Sequence, residues 1–298
     1  MNSRLSLGLA LVALLAVTAG CSADGSLSMT PVDDAELAEE ASVELPDRDD
    51  NERGEDVAVV RSAIANGTST VVDRRPPVSE QVPFRHDGRF YAVEHTEAGT
   101  EPGHEVTVRV DYNASAVEGT VVDYGDLPAV DRRLLAEAFA RTDLPDERLE
   151  PGYDFGVGRT YTEGEAGASA LVDSTAIDAI RYEGEVYPVD IDAESTTLTV
   201  YRYEASLVAE SPDAYGSALR EDHVFTLSDL SDAEREIVES AHNDTHYVEG
   251  TDDEGFASLV DRFRDRRAVT ETEYRGSYVV RYDGQVYWVE MRYGQYDD

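Results

Sequence analysis

Cys21 is the only cysteine among 298 residues, and it directly follows Thr18-Ala19-Gly20. Small side chains there let the backbone lie extended in a peptidase cleft, and the thiol left at the new N-terminus accepts a lipid. A protein stapled by disulfides would carry several cysteines. His242 and His246 lie four apart, with Glu239 three before the first. On one continuous helix that spacing would share a metal-binding face. Asn243-Asp244-Thr245 between them reads as a helix end, however, and no HExxH is present. Thr251-Asp252-Asp253-Glu254-Gly255 is acid-rich but lacks the alternating ligand spacing of a calcium loop. Gly152, Gly156 and Gly158 do not spell a dinucleotide fingerprint, and Asp154 among them would repel a phosphate. No serine stands in GxSxG, and no second cysteine is left to act as a nucleophile. Carboxylates are too numerous for any pair to stand out as acid and base. No catalytic residue, cofactor or metal ion is therefore assigned.

Two further sets of residues invite chemistry. Arg85, Arg181 and Arg281 recur in similar surroundings. They either line a ligand surface or pair with a neighbouring acid at the margin of a sheet, and the second is the ordinary use of such an arginine. Asn66, Asn113 and Asn243 each begin an N-x-Ser/Thr sequon, a glycosylation acceptor where the chain is exported.

Export is written at the N-terminus. Arg4 precedes an apolar run from Leu5 to Val17, too short to span a bilayer comfortably but suited to a signal peptide over residues 1–20. Thr18-Ala19-Gly20-Cys21 resembles a lipobox, so Cys21 is the expected lipid attachment site. The chain is then expected at the outer face of the cytoplasmic membrane. A single arginine does not make a twin-arginine signal.

Composition indicates habitat. Acidic residues number 63 against 25 basic ones, for a formal charge of −38, and every basic residue is arginine. Removing residues 1–20 takes away Arg4 and no acid, which leaves 24 against 63, or −39. Such self-repulsion opposes a compact state. In molar salt the Debye length falls to about 3 Å, and the repulsion is screened. Nucleic acid is excluded as a partner, since its phosphates would be repelled. On the same ground an anionic lipid surface is disfavoured for docking.

The elements that position these residues read as an α+β fold with internal repetition. Residues 21–54, dense in acid, Gly, Ser and Pro, read as the lipid attachment site followed by a disordered tether, with a short helix possible over 35–41. Phe84 to Glu94, Ile180 to Asp190 and Val280 to Glu290 match in residue or chemical type at most positions, at spacings of 96 and 100. Each has an acid-Gly pair between β-rich arms, a hairpin signal. A two-residue turn sets Tyr282 opposite Gln285, Arg281 opposite Val286 and Val280 opposite Tyr287. Tyr278, Val280, Tyr282, Tyr287 and Val289 then share the core face, and Arg281, Val286, Trp288 and Glu290 the other. Asp126 to Ala138 matches Asp229 to Ala241, each with apolar residues at helical spacing. Ser231 with Glu234 forms a capping box, and Pro128 replaces the serine in the earlier copy. Val57 to Ala65 supplies a first helix, stopped by Asn66-Gly67. Gly167 to Asp173 echoes Gly255 to Asp261, and the strand Val106 to Tyr112 echoes Leu198 to Tyr203. With that strand assigned to the start of the unit after it, the units span 55–100, 101–193 and 194–298. Each is a helix plus an antiparallel β-hairpin, and a body that small scarcely buries a core alone.

The lipobox, the acidic lysine-free composition and Val280-Arg281-Tyr282-Asp283-Gly284 with its Val286-Tyr287-Trp288-Val289 arm together resemble the uncharacterised lipoproteins of haloarchaea. The resemblance covers the chain broadly and implies an address without implying an activity. The expected role is a non-enzymatic cell-surface lipoprotein. It would meet the membrane through its lipid and bind a protein or small molecule through repeated sheet surfaces. An accessory subunit of a transport or signalling complex is the second reading, and an extracellular hydrolase without a recognisable motif is the third.

Overall fold

The computed structural model describes residues 25–46, 54–78, 81–113, 119–141, 152–172, 177–248 and 253–293. The chain opens with β1 (Gly25–Pro31), α1 (Asp34–Glu40) and β2 (Val43–Glu44). It continues through α2 (Gly54–Asn66), β3 (Thr68–Asp73), β4 (Phe84–His86) and the long β5 (Arg89–Val110). Next come β6 (Val121–Asp123), α3 (Ala129–Phe139), β7 (Phe155–Thr162), α4 (Glu163–Ala166), β8 (Ala179–Tyr182) and the long β9 (Glu185–Ala209). The rest is α5 (Pro212–His223), β10 (Phe225–Thr226), α6 (Asp232–Asn243), β11 (His246–Val248) and α7 (Glu254–Arg264). Strands β12 (Thr270–Glu271), β13 (Arg275–Tyr282) and β14 (Gln285–Arg292) end it. Among the described residues this is a mixed α+β fold of seven α-helices and two mixed sheets. None of the helices described is long and apolar enough to cross a membrane. The described residues form two compact units, a middle unit within 42–210 and a C-terminal unit that joins residues 25–41 with those from 211.

Three paths of strands have one order and one set of directions. In the middle unit β2 pairs parallel with β4, which pairs antiparallel with β5, then β9, then β3. A second path there runs β6, β8, β9, β5, β7 with the same senses. The C-terminal unit repeats the order as β10, β13, β14, β1, β11. Strands β5 and β9 form one ribbon paired from Phe90↔Ala209 to Val110↔Val189. Each serves as a hairpin arm at one end and as the fourth strand of the other path at its far end.

The hairpin turns come out as the acid-Gly pairs require. Asp87, Glu183 and Asp283 have φ of 50°, 50° and 48°, and Gly88, Gly184 and Gly284 have φ of 72°, 93° and 84°. Two successive positive φ values match the right-handed twist of the arms, and glycine takes the second without steric cost. The register is Tyr282↔Gln285, Arg281↔Val286 and Val280↔Tyr287. Tyr278, Val280, Tyr287 and Val289 join Leu27 and Met291 in a core against Ile237 and Val238 of α6 and Phe256, Leu259 and Phe263 of α7. The opposite face keeps Arg281 and Glu290 exposed, while Trp288 and Val279 are buried there. Helix α1 lies over α5 at close range. A Cβ at Gly216 would stand 1.7 Å from the Asp34 carbonyl oxygen, so only glycine fits that position.

Two expectations need correction. Residues 25–44 of the supposed tether form β1, α1 and β2, with Leu27, Leu37 and Ala38 fully buried. Asp33, counted toward disorder, is a helix cap here. Asp33 accepts from the Glu36 N–H, and Glu36 accepts in turn from the Asp33 N–H. The strands containing Val106 and Leu198 continue the second arm of the preceding hairpin, so the boundaries expected at 100/101 and 193/194 fall inside β5 and β9. Further elements lie between helix and hairpin, β7 and α4 after α3, and β11, α7 and β12 after α6. Cys21, the signal peptide and residues 47–53 lie outside the described residues.

Candidate functional site

Helix α3 is amphipathic by spacing. Val130, Leu134, Leu135 and Ala138 are buried with Val157 and Tyr161 of β7. Arg133 and Glu137 lie four apart on its exposed edge, and Arg141 follows just past its C-terminus on the same side, pairing with Glu137. Arg159 alternates with Val157 and Tyr161 on β7 and points to the same side of the sheet. A cavity of about 680 Å³ opens between the two elements, lined by Arg133, Leu134, Glu137, Arg141, Gly158 and Arg159 among others. A neighbouring cavity of about 670 Å³ shares Gly158 and Arg159 and reaches Val71, Asp73 and Glu165.

Three guanidiniums against one carboxylate line the first cavity in a chain of charge −38. Arg141 Nη2 donates to Glu137 Oε1 at 3.2 Å, and its guanidinium lies 4.5 Å from the Phe155 ring centroid. Stacking on a ring fixes the plane of the guanidinium without using its donors. Arg159 is 4.0 Å from Glu165 Oε1, a loose contact for an ion pair. Planar donors held in this way match the paired oxygens of a carboxylate or phosphate.

The buried acids have a different role. Asp131 of α3 is fully buried. It accepts from Ser169 Oγ at 2.6 Å, the Ala170 N–H at 2.7 Å and Tyr161 Oη at 3.1 Å. Burial and the adjacent Asp131 carboxylate hold the Tyr161 phenol well above its ordinary range, so it stays a donor. Glu234 of α6 is 1 % exposed. It accepts from the Ser231 N–H at 2.7 Å and Ser258 Oγ at 2.9 Å, and pairs with Arg262 Nε at 2.7 Å. Burial alone would raise its pKa. Hydrogen bonds from Ser231 and Ser258, with the charge of Arg262, outweigh that and hold it below the usual carboxylate value. Asp131 and Glu234 occupy matching positions in the two similar helices, and each ties its helix to a later serine. Arg132 Nη1 donates to the Leu127 carbonyl at 2.6 Å, as Arg235 Nη2 does to Leu230 at 3.0 Å. Neither acid lines either cavity.

Other residues singled out in the sequence are scattered. His242 lies in the last turn of α6 with Nδ1 3.2 Å from Tyr287 Oη, whereas His246 lies on β11 opposite Leu27. The helix stops at Asn243 between them, and no cluster able to hold a metal occurs among the described residues. Asp253 caps α7, accepting from the Phe256 N–H at 2.9 Å. Gly156 and Gly158 lie in β7 and cradle no phosphate loop. Arg85 pairs with Glu44, and Arg181 with Asp123 at 3.2 Å, in each case the residue opposite on the parallel strand. Arg281 faces Thr226 instead. Asn66, Asn113 and Asn243 are exposed, and the amides of Asn66 and Asn243 each donate to the carbonyl four residues back. The groove arginines were not marked out in the sequence, because Arg159 is distant from α3 in the chain and a strand carries no spacing rule that points to a helix. No protein-family model, curated protein or solved structure matches this chain.

Proposed function

We propose that this chain is a non-enzymatic exported lipoprotein, held at the outer face of the cytoplasmic membrane through Cys21, whose middle unit binds a small anion. The observation that carries the binding role is the groove walled by Arg133, Arg141 and Arg159 in a chain otherwise dominated by acid. Its volume of about 680 Å³ suits a small molecule. In molar salt only groups in direct contact discriminate, since fields fade within about 3 Å. A bidentate guanidinium contact with a carboxylate or phosphate survives that screening, while the surrounding acids repel anions that fit poorly. The non-enzymatic reading is supported by the use of both buried acids, Asp131 and Glu234, as structural acceptors.

We read the three strand paths as copies of one unit of short strand, helix and hairpin. Support comes from their common order and sense of pairing, their three like turns and the matched contacts of Arg132 with Arg235.

Titration calorimetry of the mature chain in molar potassium chloride, with citrate and with inorganic phosphate, tests the anion site. Saturable heat with one of them is expected, and Arg159→Gln should weaken it about tenfold or more, as loss of a charge-assisted hydrogen bond implies. The site is refuted if neither anion gives saturable heat, or if Arg133→Gln with Arg159→Gln leaves the titration unchanged.

A further inference from the structure

We propose that one end of the C-terminal sheet, carrying Tyr247, Tyr274, Arg275 and Arg292, rests on the headgroups of anionic lipid. The inference rests on the reading of Cys21 as lipid-bearing. Three residues separate Cys21 from Gly25, where β1 begins. Four Cα steps reach at most about 14 Å, so the acyl chains hold this end of the sheet close to the bilayer. The polar layer on each side of the hydrocarbon is roughly 5–8 Å deep, which brings it within that reach.

The side chains at this end fit the neighbourhood. Tyr247 is opposite Ser26, Ser26 opposite Arg292, and Arg292 opposite Arg275, a single row across β11, β1, β14 and β13. Directly opposed residues project to one face, here the face away from the α6 and α7 core. Tyr247 and Tyr274 are 65 % and 63 % exposed, the two most exposed large apolar side chains described. Aromatic rings with a polar tip collect at headgroup level. Arg275 and Arg292 are exposed, and neither is ion-paired among the described residues. Like charges directly opposed across a strand pair repel. Among the described residues no ion pair couples either arginine to a carboxylate, and a lipid phosphate between them would relieve the repulsion. Glu290, two residues before Arg292 on the same face of β14, lies near Glu40 of α1. The total charge of the chain does not forbid the contact, because molar salt confines electrostatics to about 3 Å and leaves the decision to groups that touch.

The mature acylated chain, reconstituted in phosphatidylglycerol vesicles bearing a headgroup nitroxide quencher, supplies the test. A fluorophore is placed at Glu273→Cys beside the row, or at Gln285→Cys at the far end of the same strands, roughly 24 Å away. Strong quenching at 273 and weak quenching at 285 is expected. Arg275→Gln with Arg292→Gln should cut the quenching at 273 several-fold while the chain still pellets with the vesicles. Equal quenching at the two positions, or no effect of the arginine pair, overturns the membrane-facing row and leaves the anchor intact. A chain that fails to pellet after detergent-free washing defeats the anchor and the row together.

Discussion

The middle unit completes both of its strand paths from within. Strands β5 and β9 each give their far half to the other's strand path, reinforced by a ribbon paired from Phe90↔Ala209 to Val110↔Val189 with two register shifts. The C-terminal unit has one hairpin and no such partner, and it fills the same place with β1, brought from the opposite end of the chain. The fourth position of the path is therefore a structural requirement, met by whatever strand can present alternating apolar residues. In β1 these are Leu27 and Met29, and in β5 they are Val106, Val108 and Val110. The consequence is unequal security. A ribbon bound at both ends must unfold as a whole, whereas a seven-residue terminal strand depends on its own contacts.

The largest expected effect tests that inequality. Leu27→Asp places an unpaired charge in the core of the C-terminal unit, at a cost on the order of 5 kcal/mol. Trp288, the only tryptophan, lies in that unit, so its fluorescence reports the C-terminal transition alone. The fluorescence midpoint in denaturant should collapse while the later part of the circular dichroism transition holds. A common shift of both signals would mean that the units do not differ in this way.

The buried acids offer a second contrast. Asp131 is satisfied by neutral donors that have nowhere else to turn, so Asp131→Ala should cost about 3 kcal/mol, measured by denaturant titration. Glu234→Ala should cost less, about 2 kcal/mol, because the Arg262 side chain is 39 % exposed and can turn to water. The folded-state pKa of Glu234 is lowered, so its contribution is complete above the usual carboxylate value and disappears as pH falls through the lowered one. Trp288-monitored stability should accordingly decline below about pH 4.5, and Glu234→Gln should flatten that decline. A decline of equal slope in the variant would remove Glu234 as its source.

The smallest effects separate the three hairpins. Arg85→Gln and Arg181→Gln each break an exposed cross-strand pair and should cost about 0.5 kcal/mol, while Arg281→Gln, opposite Thr226, should cost about nothing by thermal melting. Equal losses at all three positions would show that the acids Glu44 and Asp123 are not the partners that matter.

Much of the local structure was legible. The acid-Gly turns, the hairpin register and the capping box at Ser231 follow from short-range sterics and hydrogen bonding, which neighbours in sequence specify. The position of Asp131 and Glu234 was visible as a matched column, although their burial was not, since a carboxylate reads as surface until donors are known. The arginine groove and the row from Tyr247 to Arg275 join residues far apart in the chain, and no periodicity links them. Segment 25–44 folds despite its acids, because in a chain this acidic the density of carboxylates does not separate folded elements from tethers. Local sequence thus determined the turns, the caps and the faces of the hairpin strands. Tertiary structure alone decided which strand fills each fourth place and which arginines meet across the sheet, because strand pairing is set by complementary faces rather than by distance along the chain.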